Sequence, residues 1–77
     1  MILLILTKKG SEIMKISKEK LEIAMGNALV TGKELSEQTG IAPETITRIK
    51  KGKQNPKPVT IGKIAKALNV KVEDLVE

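Results

Sequence analysis

A chain of 77 residues with a net charge of +5, no Cys, no His and no aromatic residue makes at most one small domain. Without Cys or His there are no disulfides, no zinc sites of the Cys/His kind and no catalysis by either residue. Without aromatic rings there is no platform for stacking single-stranded bases, so any nucleic-acid partner is expected to be a duplex.

The chain opens on "MILLILTKKGSEIMKI". Its apolar run, Ile2 to Leu6, is too short to span a membrane. It also lacks the basic n-region and small-residue cleavage site of a secretory signal, so a cytoplasmic protein is expected. Residues 1–15 read as strand, turn and strand, a candidate short N-terminal β-strand or hairpin. Such a hairpin is marginal alone, and burying it against a second copy would make it a dimerisation element. The competing expectation is that Met14 is the natural start and the residues before it are upstream sequence read in frame.

From Ile16 the pattern becomes helical, and residues 16–77 are expected to form the domain. Leu21, Ala24, Met25 and Ala28 share one helical face, with Ser17 as a good N-cap. Thr31 with Glu34 three residues on forms a capping box, opening a short helix to about Thr39 that buries Leu35 and stops at Gly40. Pro43 suits the first position of a third helix, which Gly52 closes. After the loop "KQNPKP", Pro58 opens a helix with Ile61, Ile64, Ala65 and Leu68 on one face and Asn69 as a left-handed cap. A last turn, Val72 to Val76, packs Val72 and Leu75.

The third helix needs an argument, because Thr45, Ile46 and Thr47 are β-branched and favour strands. In a strand Ile46 and Ile49 would face opposite ways; in a helix they share a face. The propensity loss is roughly tenths of a kcal/mol per residue, whereas burying each Ile contributes about 1.5–3 kcal/mol. Helix is expected. With Ile46 and Ile49 inward, Glu44, Thr47, Arg48 and Lys51 face outward, Thr45 lies on one flank, and Pro43 and Lys50 lie on the other. Charge is concentrated in the same place. Of the net +5, +4 falls in residues 43–58, from Arg48, Lys50, Lys51, Lys53 and Lys57 against Glu44. A basic cluster on a neutral background points to a polyanion. Lys57, Lys63 and Lys66 are read as solvent-facing, and Glu44 also suits the positive end of its helix.

The stretches "KELSEQTGIAPETITRIKKGKQNP" and "IGKIAKALNVKVEDL" together resemble the Cro/phage-repressor type of helix-turn-helix regulator, the lambda-repressor-like domain, over about Ile16 to Val76. The resemblance implies an all-α, five-helix domain that binds double-stranded operator DNA as a homodimer and regulates transcription, as a repressor. It implies no enzymatic step, no cofactor, no metal and no small-molecule substrate. The recognition helix, about residues 43–51, would enter the major groove, with base contacts from Pro43, Glu44, Thr45, Thr47 and Arg48. Arg48 can donate two hydrogen bonds to guanine, a Thr methyl can meet a thymine methyl, and Glu44 can accept from cytosine. Phosphate contacts would come from Lys51, Lys53, Gln54 and Asn55. The family often has Gln near the start of its second helix; here it is Gly32, so that contact is either lost or passed to Thr31 or Lys33. Three further departures are Ser36 in place of Ala, Ala42 in place of a Ser or Thr cap, and Lys50 in place of a frequent Glu. The alternative from another class is an antitoxin-like or other protein-interaction module on the same fold, for which the chain to Glu77 leaves little room.

Overall fold

Ser17 receives the first helix: its hydroxyl accepts from the Lys20 N–H at 3.2 Å, and α1 runs Lys18–Ala28. The computed structural model describes residues 15–77, so the expected hairpin and the alternative start at Met14 fall outside the described residues, apart from Lys15. α2, Gly32–Thr39, carries both halves of the expected capping box. The Glu34 N–H donates to the Thr31 hydroxyl at 3.1 Å, and the Thr31 N–H donates to the Glu34 carboxylate at 2.9 Å. α3 is Pro43–Lys50 and α4 is Pro58–Leu68. Each starts on proline, whose missing N–H would have had no helical partner there.

Among the described residues, the five helices implied by the resemblance come out as four α-helices and a 3-10 turn, Val72–Asp74. The turn stays short because the chain is needed elsewhere on both sides. The Asp74 carboxylate accepts from the Lys71 N–H, and Leu75 then drops into the core while Val76 pairs with Ile16 in an isolated antiparallel bridge. Backbone bonds from Ser17 N–H to the Leu75 carbonyl at 2.7 Å and from Glu77 N–H to the Lys15 carbonyl at 2.9 Å fasten the two segments together. No strand longer than this bridge occurs among the described residues.

Leu29, Gly40 and Asn69 cap α1, α2 and α4 in the left-handed conformation, and after α3 the left-handed residue is Gly52, one position past the right-handed cap Lys51. After α1, α3 and α4 the closure is the same double bond. The left-handed residue's N–H reaches back three positions and the next N–H reaches back five, as in Val30 to Met25, Lys53 to Arg48 and Val70 to Ala65. Val30 and Val70 then lean on the core. Leu29 is the unexpected member, with φ 57 and 86% of its surface exposed. A leucine there bears the left-handed clash and gains no burial.

The core is aliphatic. Leu21, Ala24 and Met25 of α1, Leu35 of α2, Ile46 and Ile49 of α3, and Ile61, Ile64, Ala65 and Leu68 of α4 form one cluster, closed by Ile16 and Leu75. Ile46 and Ile49 are 2% and 0% exposed, so the helical register inferred from their spacing is the one adopted. α2 packs on α3 and α4, and α1 packs on the same two, which leaves the outer face of α3 uncovered.

Two outcomes follow, both read by urea unfolding. Leu35→Ala removes a side chain with no exposed surface and is expected to cost about 2–5 kcal/mol. Leu29→Gly relieves a left-handed penalty of roughly 1–2 kcal/mol against a glycine entropy cost of roughly 0.5–1 kcal/mol. It is expected to stabilise the protein by about 0.5–1 kcal/mol.

Candidate nucleic-acid interface

The corner between α2 and α3 is held by two side-chain hydroxyls. Ser36, buried in the second half of α2, donates to the Ile41 carbonyl. Thr39 donates to the Leu35 carbonyl at 2.7 Å, and its oxygen accepts from the Ile41 N–H at 3.2 Å. Gly40 supplies the turn with φ 78, and its N–H closes on the Ser36 carbonyl at 2.9 Å. Both polar groups of Ile41 are therefore satisfied, and its half-buried side chain packs against the core. The serine that departs from the resembled pattern thus has a definite backbone partner.

α3 leaves this corner without a side-chain cap. Ala42 sits at the cap position with φ −58 and ψ 142, and no side chain accepts from the first turn. Pro43, Glu44, Thr47, Arg48 and Lys51 are exposed, and Thr45 is half-buried. Thr47 donates its hydroxyl to the Pro43 carbonyl at 3.1 Å, one turn back. Arg48 is tied at two nitrogens: its Nε–H donates to Gln54 Oε1 at 2.9 Å, and Nη2 lies 3.4 Å from the Thr45 hydroxyl. Three of the expected contact residues, Thr45, Arg48 and Gln54, therefore form one hydrogen-bonded group.

Around this helix the other sequence-selected residues divide. Lys51 and Lys53 are exposed just past the end of α3, on either side of Gly52 with φ 77. Thr31 and Lys33 are exposed at the start of α2, where the Thr31 oxygen caps the helix. Asn55 ties the fold together, since its Oδ1 accepts from the Ile16 N–H at 2.8 Å and joins the loop after α3 to the segment before α1.

Three lysines, Lys15, Lys18 and Lys50, gain a place that the sequence does not assign them. The Lys18 stem passes 3.3 Å from where a β-carbon on Gly52 would stand, which puts the start of α1 beside the basic loop. Lys18 and Lys15 line a shallow cleft there with Lys51, Gln54 and Asn55, along with the acids Glu19 and Glu77. Lys50 is half-buried and turns toward α2, its ammonium 3.6 Å from the β-carbon position of Gly32. Lys18 belongs to a stretch whose charges cancel, so a running charge sum passes over it. Only the packing of α1 against α3 brings it forward. Among the described residues no group of three or more acidic side chains could hold a metal ion, and no helix is long and apolar enough to cross a membrane.

A family model described as helix-turn-helix matches residues 18–75. Two relatives from Archaeoglobus fulgidus, both described as an uncharacterized HTH-type transcriptional regulator, are each 41% identical over 46 residues, 60% of this chain. The matched part spans 65% of one relative and 66% of the other, slightly less than two thirds of their lengths. The crystal structure of the clp gene regulator ClgR from Corynebacterium glutamicum has a similar fold, with a TM-score of 0.70 at 21% identity. That likeness covers 74% of this chain and 61% of the other.

Two substitutions separate support from contact at this face. Ala42→Ser adds the missing cap and is expected to raise stability by about 1 kcal/mol. Asn55→Ala removes the acceptor of the part-buried Ile16 N–H and is expected to cost about 0.5–1.5 kcal/mol. Thermal unfolding without any nucleic acid present reads both, and a neutral result for Asn55→Ala would remove its structural role.

Proposed function

The chain belongs to the helix-turn-helix family of the Cro/CI type, and from that membership we propose that it is a sequence-specific regulator of transcription, acting as a repressor on double-stranded DNA. In this reading α3 lies in the major groove, and two copies of the chain bind two half-sites. The observation that carries the reading is the division of α3 into two faces. Ile46 and Ile49 are buried behind it, while Glu44, Thr47, Arg48 and Lys51 stand exposed on the other side. An eight-residue helix with donors and acceptors along its free face and lysines at its end matches the chemistry of base edges flanked by phosphates.

Arg48 is the residue for guanine, since a guanidinium fork matches the O6 and N7 acceptors. Glu44 is the residue for cytosine N4, and the methyl groups of Thr45 and Thr47 suit thymine. Pro43 enters as an apolar contact at the helix start. Lys51 and Lys53 neutralise phosphates past one end of α3, and Lys33 does the same at the start of α2, where the Thr31 hydroxyl can donate to a phosphate oxygen. Gln54 and Asn55 belong to the same backbone-facing edge, although each already has a bond inside the protein. The chemistry is recognition without a covalent step, carried out in the cytoplasm.

Selection of bound sequences from a random duplex pool tests the reading. Enriched half-sites about one helical turn apart, roughly 34–36 Å, are expected for a dimer. Affinity should fall with salt at a slope of about −0.9 per neutralised phosphate. Arg48→Ala is expected to cost about 1–3 kcal/mol and to relax the preference at one base pair. Lys53→Ala should weaken all duplexes alike and reduce the salt slope by about 1. A base preference unchanged by Arg48→Ala would put the contact face elsewhere.

A further inference from the structure

We propose that Gln54 is a positioning residue for Arg48, so that a side chain outside the recognition helix sets its base preference. The inference rests on the reading of α3 as the helix that meets DNA.

Gly52, with φ 77, turns the chain back on itself. The Lys53 N–H then closes on the Arg48 carbonyl at 2.9 Å. One residue further, the half-buried Gln54 lies against the last turn of α3, and its Oε1 accepts from Arg48 Nε at 2.9 Å. The Thr45 hydroxyl lies 3.4 Å from Nη2, the nitrogen next to Nε–H on the same edge of the guanidinium. The backbone and the side chain of Arg48 are therefore both held by the turn that follows its helix.

A guanidinium has five N–H donors in a fixed plane. Gln54 takes the one on Nε and Thr45 takes one on Nη2. What remains is both donors of Nη1 and one of Nη2. That pair of nitrogens can meet guanine O6 and N7 end-on, whereas the side-on approach through Nε is already occupied. An exposed arginine without such a brace has many rotamers and many phosphate oxygens within reach. Bracing removes the ordering cost at the moment of binding and favours the base over the backbone. Gln54 itself is uncharged, so it acts through Arg48 and contributes nothing to the release of counterions.

The test is a double-mutant cycle on duplexes that carry either guanine or another base at the position read by Arg48. Gln54→Met keeps the length of the side chain and removes the acceptor. It is expected to lower the guanine preference roughly three- to ten-fold, the range set by ordering one long side chain, while the salt slope stays unchanged. In an Arg48→Ala background the same change should leave discrimination unaltered. Gln54→Glu retains an acceptor for Nε and is expected to keep the preference while weakening all duplexes by its charge. Equal weakening of every duplex by Gln54→Met, or the same loss of preference with Arg48 already removed, would make Gln54 a direct contact and overturn the proposal. Loss of preference in Gln54→Glu as large as in Gln54→Met would also overturn it. Failure of the unchanged protein to bind any duplex would instead bring down the functional reading, and this inference with it.

Discussion

The Ser36 hydroxyl and the Ile41 carbonyl meet inside the turn between α2 and α3, and the direction of every side chain on α3 follows from that corner. A turn of this length leaves carbonyls that no helix can satisfy, and such groups are costly when buried and unpaired. Ser36 meets one of them from α2, and Thr39 receives the Ile41 N–H. The side chains of the second helix therefore hold the backbone that leads into the third. With the corner held, Ile46 and Ile49 reach the core together, and the polar face of α3 has only one way to point.

Much of this is legible in the residues. The capping box of Thr31 and Glu34, the two proline starts and the glycines at 40 and 52 are local rules that tertiary packing does not overrule. The β-branched run in α3 is legible by weighing: two buried isoleucines outweigh several small propensity losses. Leu29 is not legible. Nothing in a leucine announces a left-handed residue, and the closure depends on Val30 finding the core beside Met25. The last helical turn is shorter than its residues suggest for a related reason. They suit a helix, but Leu75 and Val76 are claimed by the core and by Ile16, which lies far away in sequence.

At the candidate interface, residue type and charge density locate the face but cannot say what each polar side chain already does. Arg48, Gln54 and Asn55 look alike from sequence, as groups suited to nucleic acid. The structure separates them into a braced donor, its acceptor and a clip on the opposite end of the chain. Bonds between residues six and thirty-nine positions apart leave no periodic trace. Lys18 is hidden by the same kind of distance, since its neighbour Gly52 belongs to a different charge block.

The clip made by Asn55 has a consequence for how order spreads through the molecule. Its partner, Ile16, is also the residue bridged to Val76, so three separate stretches of chain converge there. Contacts of such long sequence separation carry the largest loop-closure entropy, and they form late in folding. Loss of the Ile16–Val76 pairing would therefore loosen the residue that Asn55 holds beside the basic end of α3. In this small domain the seam between the first and last described residues acts as a clasp on the loop at the basic end of α3.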